Sequence, residues 1–363
     1  MRGEERRQRA MLVVIDPEKR VPKEHPIRRI KQLAEAALAQ LSPVFDQMYS
    51  AVGRPSIPPE RLLKASLLMA LYTVRSERMF CERLDYDLMF RWFLDMEMDE
   101  PSFDHSTFSR NRARLLEHAA ADEFFHAVVE QARALKLLSD EHFTVDGTLV
   151  QAWASLKSFK RKDAGPSGPP DDPGNPTVNF RGERRANATH QSTTDPEALL
   201  AKKGPGKEAR LCYLANALME NRNTILIDFQ VEPADGYAER RAAIAMADER
   251  LPGRRRITMA GDRGYDTRDF IASCRELKVT PHVARNEARP GGSALDARTV
   301  RHPGYAISQR LRKRVEEAFG WMKTVGGLRQ TRYRGRSRVQ MHAYLVAAAF
   351  NLVRIAKLSP APA

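Results

Sequence analysis

Four carboxylates occupy positions from which they could act together. Asp146 and Asp262 each follow an apolar run typical of a β-strand, and Glu316 and Glu317 are adjacent in a later helical segment. In open α/β sheets, groups at the carboxyl ends of strands line the ligand crevice, so we predict that both aspartates lie at or just past strand ends and face one site. Hard divalent cations such as Mg²⁺ take oxygen ligands of this kind. Two such ions can activate a water or a 3′-hydroxyl and stabilise the leaving oxygen of a phosphodiester.

Each of these carboxylates also has a purely structural interpretation. Strand-end aspartates commonly form turns and cap helices, and Glu316 and Glu317 could form i, i+4 ion pairs with Arg312 and Lys313. A helix predicted over residues 305–325 places the two glutamates on opposite sides of an apolar stripe, so helical periodicity alone leaves the choice between them open. The stripe that would face the core consists of Leu311, Val315, Ala318 and Met322.

The surroundings of these glutamates, and the chain as a whole, are basic. The 363 residues carry a formal net charge of +14 and the pI is about 9.9, which indicates a polyanionic partner. The three cysteines form no CxxC pair, which argues against a thiolate zinc site and suits a reducing cytosol. The sequence contains no P-loop, GxGxxG or GxSxG motif, so we expect no nucleotide cofactor.

Two kinds of element must position the carboxylates. Residues 28–118 have helical periodicity, whereas the order strand, strand, strand, helix, strand, helix, strand, helix after residue 142 predicts a mixed α/β domain. We predict that the first strand ends in a turn at Asp146-Gly147 or just beyond it. The last helix is apolar but shorter and more polar than a membrane span, so we expect no membrane association.

An arginine-rich helix predicted over residues 103–118 has two interpretations. Asp104 or Ser106 would cap it, and Arg110, Arg112 and Arg114 lie in its body. Two preceding helices and a polar turn would make it the reading helix of a helix-turn-helix-like DNA-binding unit. Alternatively it is a solvated basic helix on a helical bundle, because alternate arginines point around a helix rather than along one face.

Three segments of the chain resemble, in order, the three acidic blocks of bacterial insertion-sequence transposases of the Asp-Asp-Glu (DDE) type. They are "FTVDGTLVQAWASLKSF", "TMAGDRGYDT" and "RKRVEEAFGWMKTVGGLRQTRYRG". The segment "YSAVGRPSIPPERLLKASLLMALYTVRSERMFCERL" is similar to the helical domain that precedes the catalytic domain in many members. The resemblance covers roughly residues 35–355, and the ordered blocks are specific only when taken together.

The resemblance implies a mixed α/β, ribonuclease-H-like catalytic domain preceded by an all-helical N-terminal domain. In that fold Asp146, Asp262 and Glu316 would be the catalytic residues and would hold two Mg²⁺ or Mn²⁺ ions. The related pattern Tyr-x-x-Arg-x-x-x-Glu-x-x-x-x-x-x-Lys fits Arg312, Glu316 and Lys323 and does not fit around Glu317. The resemblance therefore favours Glu316 as the third acid.

One position departs from the family pattern, and six basic residues are expected to contact DNA. The tyrosine of the pattern is replaced by Gln309, so a role of that tyrosine against DNA does not carry over. The residues expected to contact DNA are Arg312, Lys323, Arg110, Arg114, Arg332 and Arg334.

The activity implied is hydrolytic nicking at the ends of an insertion sequence, followed by attack of the freed 3′-hydroxyl on target DNA. Neither step needs a covalent protein–DNA intermediate or a nucleotide cofactor. The partners implied are terminal inverted repeats, target DNA and a second copy of the chain, as a homodimer on DNA. The location implied is the bacterial cytoplasm, with nucleoid association when DNA is bound.

The resemblance and the composition together predict a division of the chain. We expect a basic arm at 1–27, a helical DNA-binding or dimerisation domain at 28–135, a catalytic domain at 136–358 and a tail at 359–363. A Gly-, Pro- and charge-rich stretch at 160–188 is predicted to be a flexible basic insertion.

Two alternative functions remain open at this level. One is a metal-dependent nuclease or resolvase on the same fold that performs no strand transfer. The other is a DNA-binding descendant of a transposase that no longer cuts, although the intact acidic residues count against it.

Overall fold

The structure is a computed structural model that describes residues 15–50, 52–53, 56–163, 185–204, 206–251 and 257–359. Much of the predicted basic arm, most of the predicted insertion and most of the predicted tail lie outside these described residues.

The N-terminal part of the described chain is helical. Its helices are α1 (Pro17–Arg20), α2 (Pro26–Gln40), α3 (Ser42–Met48), α4 (Pro59–Leu71), α5 (Glu77–Leu84), α6 (Leu88–Phe93), α7 (His105–Glu117) and α8 (Ala120–Ala134).

The helical periodicity predicted over residues 28–118 is interrupted at two points that the structure explains. The segment that begins at Ile30 breaks at Leu41, because Pro43 lacks the amide hydrogen that would continue α2. The segment that begins at Glu77 breaks before Asp87, whose carboxylate caps α6 by accepting from two of its first backbone amides. Asp104 caps α7 in the same way, as one of the two predicted candidates.

The C-terminal part contains a six-stranded sheet and a small two-stranded sheet. The strands are β1 (His142–Gln151), β2 (Phe159–Arg161), β3 (His190–Ser192), β4 (Leu199–Ala201), β5 (Arg210–Glu220), β6 (Ile225–Pro233), β7 (Ile257–Gly261) and β8 (Val279–Val283). The helices of this part are α9 (Ala238–Arg250), α10 (Arg268–Glu276), α11 (Ala297–Arg301), α12 (Pro303–Leu311), α13 (Arg314–Thr324) and α14 (Arg336–Leu358).

The order of the five principal strands is β6-β5-β1-β7-β8, with β4 paired to the beginning of β5. The strand β5 pairs antiparallel with both β1 and β6, whereas β7 and β8 run parallel to β1. The parallel strands are reached through α9 and α10, which supply the crossovers that parallel pairing requires. This mixed sheet confirms the predicted ribonuclease-H-like α/β fold.

The helix predicted over residues 305–325 is divided into α12 and α13. The amides of Val315 and Glu316 donate to carbonyls three residues back, at Arg312 (3.3 Å) and Lys313 (3.1 Å), rather than four. Such tighter bonds shift the phase of the helix, so Leu311 is only half-buried while the stripe continues as buried side chains on α13. The predicted continuous stripe is therefore wrong at its first member.

Helix α14 lies at the centre of the hydrophobic core. It packs against α2, α4 and α8 on one side and against β6 and α13 on the other. Two of its amide side chains bond the outer edge of β6, where Asn351 pairs with both backbone groups of Leu226 (2.9 and 2.8 Å) and Gln340 accepts from Val231 (2.5 Å). These bonds occupy backbone groups that an edge strand would otherwise leave unpaired.

The length and composition of α14 would suffice for a membrane span, but 72% of its most apolar 18-residue window is buried inside the protein. The prediction that this helix is shorter and more polar than a membrane span is therefore wrong, because α14 has 23 residues and a sufficiently apolar composition, but its burial leads us to interpret it as a core helix.

Candidate active site

Asp146 lies in the middle of β1 and not at its end. The strand pairs with β5 without interruption from Phe143 to Gln151, and Asp146 and Gly147 face Ala217 and Asn216 in that ladder. The turn predicted at Asp146-Gly147 is therefore wrong. An antiparallel ladder along the whole strand outweighs the local turn preference of an Asp-Gly pair.

The strands β1 and β7 separate close to Asp146 and leave a cleft. Their last paired residues are Thr144 and Ala260, and β7 ends one residue later at Gly261. Asp262 follows directly, so it lies at a strand end as predicted, and its Oδ1 accepts from the amide of Gly264 (2.6 Å). We call this space the β1–β7 cleft, and both predicted aspartates border it.

A glutamate that the sequence did not single out shares this cleft. Glu239 lies in the first turn of α9 and is half-buried. Its pKa is raised, first by burial and then by the charge of Asp262. Burial and the charges of Glu239 and Asp262 also raise the pKa of Asp146 to about 7, against the opposing effects of the Gly147 amide and Arg312. We refer to Asp146, Glu239 and Asp262 as the carboxylate cluster.

Gly147 allows Glu239 to approach β1. A Cβ atom at this position would lie 2.6 Å from Oε1 of Glu239 and 3.1 Å from Oδ1 of Asn216. A glycine inside a strand often marks the close approach of another group, and here that group is a carboxylate. This glycine was therefore a sequence signal for the close approach of another group, but it did not indicate that the group is an acid.

Two predicted cations flank the cleft from the other face of the sheet. Lys323 on α13 donates to Oγ1 of Thr148 (2.6 Å), two residues beyond Asp146 on the same face of β1. Arg312, between α12 and α13, lowers the pKa of Asp146 and donates through Nε to Oε1 of Gln309 (3.1 Å). Gln309, which replaces the tyrosine of the family pattern, also donates to the carbonyl of His282. It is therefore held in place and positions Arg312.

The structure does not bring Glu316 into contact with the carboxylate cluster. Glu316 and Glu317 both lie in the first turn of α13, and both are exposed. Within the described part of the chain no ion pair joins either glutamate to Arg312 or Lys313. The choice of Glu316 over Glu317 therefore stays a prediction.

The cluster fits a hard divalent cation by its donor chemistry. All of its side-chain donors are oxygens, and the Gly147 gap brings the Glu239 carboxylate beside an amide oxygen with no hydrogen-bond partner, Oδ1 of Asn216. Across the described residues no three His, Cys, Asp or Glu side chains form a ready-made metal-binding group.

The remaining arginines predicted to bind DNA differ in their exposure and in their contacts within the protein. Arg110 and Arg334 are exposed, while Arg114 stacks over the ring of Tyr49 at 4.6 Å. Arg332 donates to the carbonyls of Val74 (3.3 Å) and Arg75 (2.6 Å) and so joins the helical part to the segment before α14. Their contacts with DNA stay predictions.

Comparisons with known proteins assign the chain to a family. Residues 15–114 match the model of the Transposase domain (DUF772), and residues 177–352 match that of the Transposase DDE domain. The second range contains Glu239, Asp262 and Glu316, whereas Asp146 lies between the two ranges. No curated protein matches the chain.

Several solved transposase structures have low overall similarity to the chain. The piggyBac transposase synaptic complex with hairpin DNA is 11% identical over 92% of this chain and 75% of that one, with a TM-score of 0.42. The Mos1 strand transfer complex is 13% identical over 75% of this chain and 74% of that one, and the Mos1 mariner paired end complex with Mn is 12% identical over 90% and 86%; both TM-scores are 0.20.

Because these TM-scores are low, the assignment rests on the two family models, which together cover most of the chain. They give no support to a resolvase or to a non-cutting descendant. The chain belongs to the DDE transposases, enzymes that bind DNA, cut it and transfer the cut strand with the help of a divalent metal ion such as Mg²⁺ or Mn²⁺.

Proposed function

We propose that this transposase nicks the ends of an insertion sequence and joins them to target DNA at the β1–β7 cleft. In this proposal Asp146, Asp262 and Glu316 supply the carboxylates that hold two Mg²⁺ or Mn²⁺ ions. The observation that carries it is the shared position of Asp146 and Asp262 in one cleft, flanked by Arg312 and Lys323.

The course of α13 supports Glu316 as the third acid. Lys323 bonds Thr148, and Arg314 at the other end of α13 donates to the carbonyl of Asn221 (2.8 Å), whose amide bonds His142 at the start of β1. The helix therefore runs alongside β1 in the same direction. Glu316 precedes Lys323 by about 10 Å along the helix axis, which puts it at roughly the same height along β1 as Asp146.

The chemistry proposed at this site is two successive displacements at phosphorus. In the first, a water oxygen bonds to phosphorus, the bond from phosphorus to the 3′ oxygen breaks, and that oxygen takes a proton to become a 3′-hydroxyl. In the second, this hydroxyl bonds to a target phosphorus and loses its proton as the target's own 3′ oxygen leaves. When bound, divalent ions would polarise the attacking and leaving oxygens.

The cations around the cleft would hold the DNA. Arg312 and Lys323 would contact phosphates next to the reacting bond, and Arg110, Arg114 and the segment with Arg332 and Arg334 would contact the flanking DNA. We further propose that two copies of the chain act together on DNA, without a nucleotide cofactor, in the bacterial cytoplasm and at the nucleoid.

Cleavage of DNA that carries the element's own ends tests the assignment. Asp146→Asn, Asp262→Asn and Glu316→Gln should each abolish Mg²⁺-dependent nicking while DNA binding in a gel-shift assay stays near that of the wild type. Glu317→Gln is the matched control and should remain active. An inactive Glu317→Gln beside an active Glu316→Gln would show that the third acid is assigned to the wrong residue.

A further inference from the structure

We propose that Glu239 is an additional metal-binding residue and that a divalent cation binds between the carboxylates of Asp146 and Glu239 and the amide oxygen of Asn216. This inference rests on the proposed function, because it uses the same cleft and the same Asp146. It adds a carboxylate from α9, a helix that contributes none of the acids in the three family blocks.

The first observation is that Glu239 reaches the cleft from the opposite face of the sheet to α13. Side chains alternate along β1, so Asp146 and Thr148 face α13, while Gly147 faces α9. The missing side chain at Gly147 leaves room for the Glu239 carboxylate beside the backbone of Asp146. The two carboxylates meet at the Gly147 amide, which donates to Oδ1 of Asp146 (2.9 Å) and also lowers the pKa of Glu239, beyond the point where β1 and β7 separate.

The second observation is independent and concerns Asn216, the β5 residue opposite Gly147. Its side chain is 1% exposed, and its Nδ2 donates to the carbonyls of Gln230 (3.2 Å) and Leu214 (3.4 Å). Reversing the amide would place an oxygen against both carbonyls, so these contacts fix the orientation. Oδ1 therefore points toward Gly147 and Glu239, and it has no hydrogen-bond partner.

A buried acceptor that faces carboxylates needs a positive partner. An unpaired buried oxygen costs free energy, and nearby carboxylates repel both it and each other. Tyr265 and the Gly147 amide partly offset the raised pKa of Glu239. Arg240 and Arg312 act on the cluster from a distance, but no ion pair reaches the three carboxylates within the described ranges. A hard cation would satisfy the amide oxygen and the carboxylates together.

The composition of this set identifies the kind of ion. Two carboxylates and one amide carbonyl are ligands that Mg²⁺ and Mn²⁺ accept, and the remaining positions would be left to water and a DNA phosphate.

Mn²⁺ binding to the full-length protein without DNA tests this inference, with free Mn²⁺ measured by electron paramagnetic resonance. Glu239→Gln preserves the volume of the side chain and removes its charge, and it should weaken Mn²⁺ binding at least about 10-fold. Glu276→Gln, an exposed glutamate on α10, is the matched control and should bind as the wild type does. Without metal, Glu239→Gln should melt at a higher temperature than the wild type because one repelling charge is gone.

A second variant guards against a folding defect in the first. Gly147→Ala keeps every charge but places a methyl group where the Glu239 carboxylate lies, so it should also weaken Mn²⁺ binding while circular dichroism stays unchanged. If Glu239→Gln and Gly147→Ala both bind Mn²⁺ as tightly as Glu276→Gln, the inference is overturned.

Asp146→Asn separates this result from a failure of the proposed function. If Asp146→Asn loses nicking and Mn²⁺ binding while Glu239→Gln keeps both, only the role of Glu239 is wrong. If Asp146→Asn still nicks DNA, the proposed site fails, and the inference fails with it.

Discussion

Two partly buried groups of charged side chains in this protein are built on opposite principles. At the helix–sheet joint, defined by Asp122 and His126 on α8, Asp228 on β6 and Arg250 on α9, acids and bases alternate. His126 lies 2.7 Å from Asp122 and 3.7 Å from the fully buried Asp228, and Arg250 lies 3.9 Å from Asp228. The carboxylate cluster instead places like charges together.

The difference separates stability from function. Burial alone lowers the pKa of His126, but the Asp122 and Asp228 carboxylates outweigh it and raise that pKa to about 9, so the ring stays charged and paired. In the cluster, burial and mutual repulsion raise the pKa of Asp146 instead. A group in which opposite charges pair stabilises the fold by itself. A group of like charges needs a bound ligand of opposite charge.

Removal of an acid from the joint should have the largest effect on folding. Asp228→Asn would leave His126 with Asp122 alone and Arg250 with Glu249 alone, which we expect to lower the free energy of unfolding by about 2 to 3 kcal/mol. Urea denaturation of the metal-free protein measures it. Asp248→Asn, at an exposed position on α9, should change stability little, and an equally stable Asp228→Asn would contradict the paired-charge account.

The joint should also make stability depend on pH in the alkaline range. The folded-state pKa of His126, about 9, exceeds the ordinary value of about 6.5. Its contribution is therefore complete below pH 6.5 and is lost as the pH rises through 9. Between these values the wild type should lose roughly 1 to 2 kcal/mol more stability than His126→Gln.

His105→Gln is the control for this pH dependence, because His105 is exposed at the start of α7. It should follow the wild-type profile of unfolding free energy against pH. A His126→Gln profile as steep as that of the wild type would remove His126 from the explanation.

Removal of an acid from the cluster should have the smaller and opposite effect. In EDTA at pH 8, where Asp146 is ionised, Asp146→Asn should raise the free energy of unfolding by about 1 kcal/mol, because the remaining carboxylates are repelled less. Addition of Mg²⁺ should then stabilise the wild type more than the variant. A destabilised Asp146→Asn in EDTA would mean that the cluster, like the joint, is structural.

The sequence predicted most elements because hydrophobic periodicity determines which face each one buries. It failed where tertiary pairing overrides a local preference. The Asp146-Gly147 pair favours a turn by itself, but the ladder with β5 keeps it extended. The break between α12 and α13 at Arg312 and Lys313 was missed because a backbone hydrogen bond to the carbonyl three residues back differs from an α-helical one by a single residue. The sequence pattern does not distinguish the two.

The contents of the cleft were only partly predictable for a similar reason. Asp262 was placed correctly because a strand end depends on nearby residues. Glu239 was missed because nothing beside it in the sequence is unusual, and its meaning comes from Gly147, which lies far away along the chain. Proximity that depends on sheet topology cannot be inferred from spacing.

The position of α14 has a consequence for how the protein is made. The last long helix of the described chain covers the apolar faces of the first helices and also the edge of β6. A polypeptide that still lacks α14 therefore exposes apolar helix faces and the unpaired edge of β6, and its hydrophobic core is incomplete. A frameshift or stop codon before this helix would silence the enzyme even with every acidic residue of the cleft already synthesised.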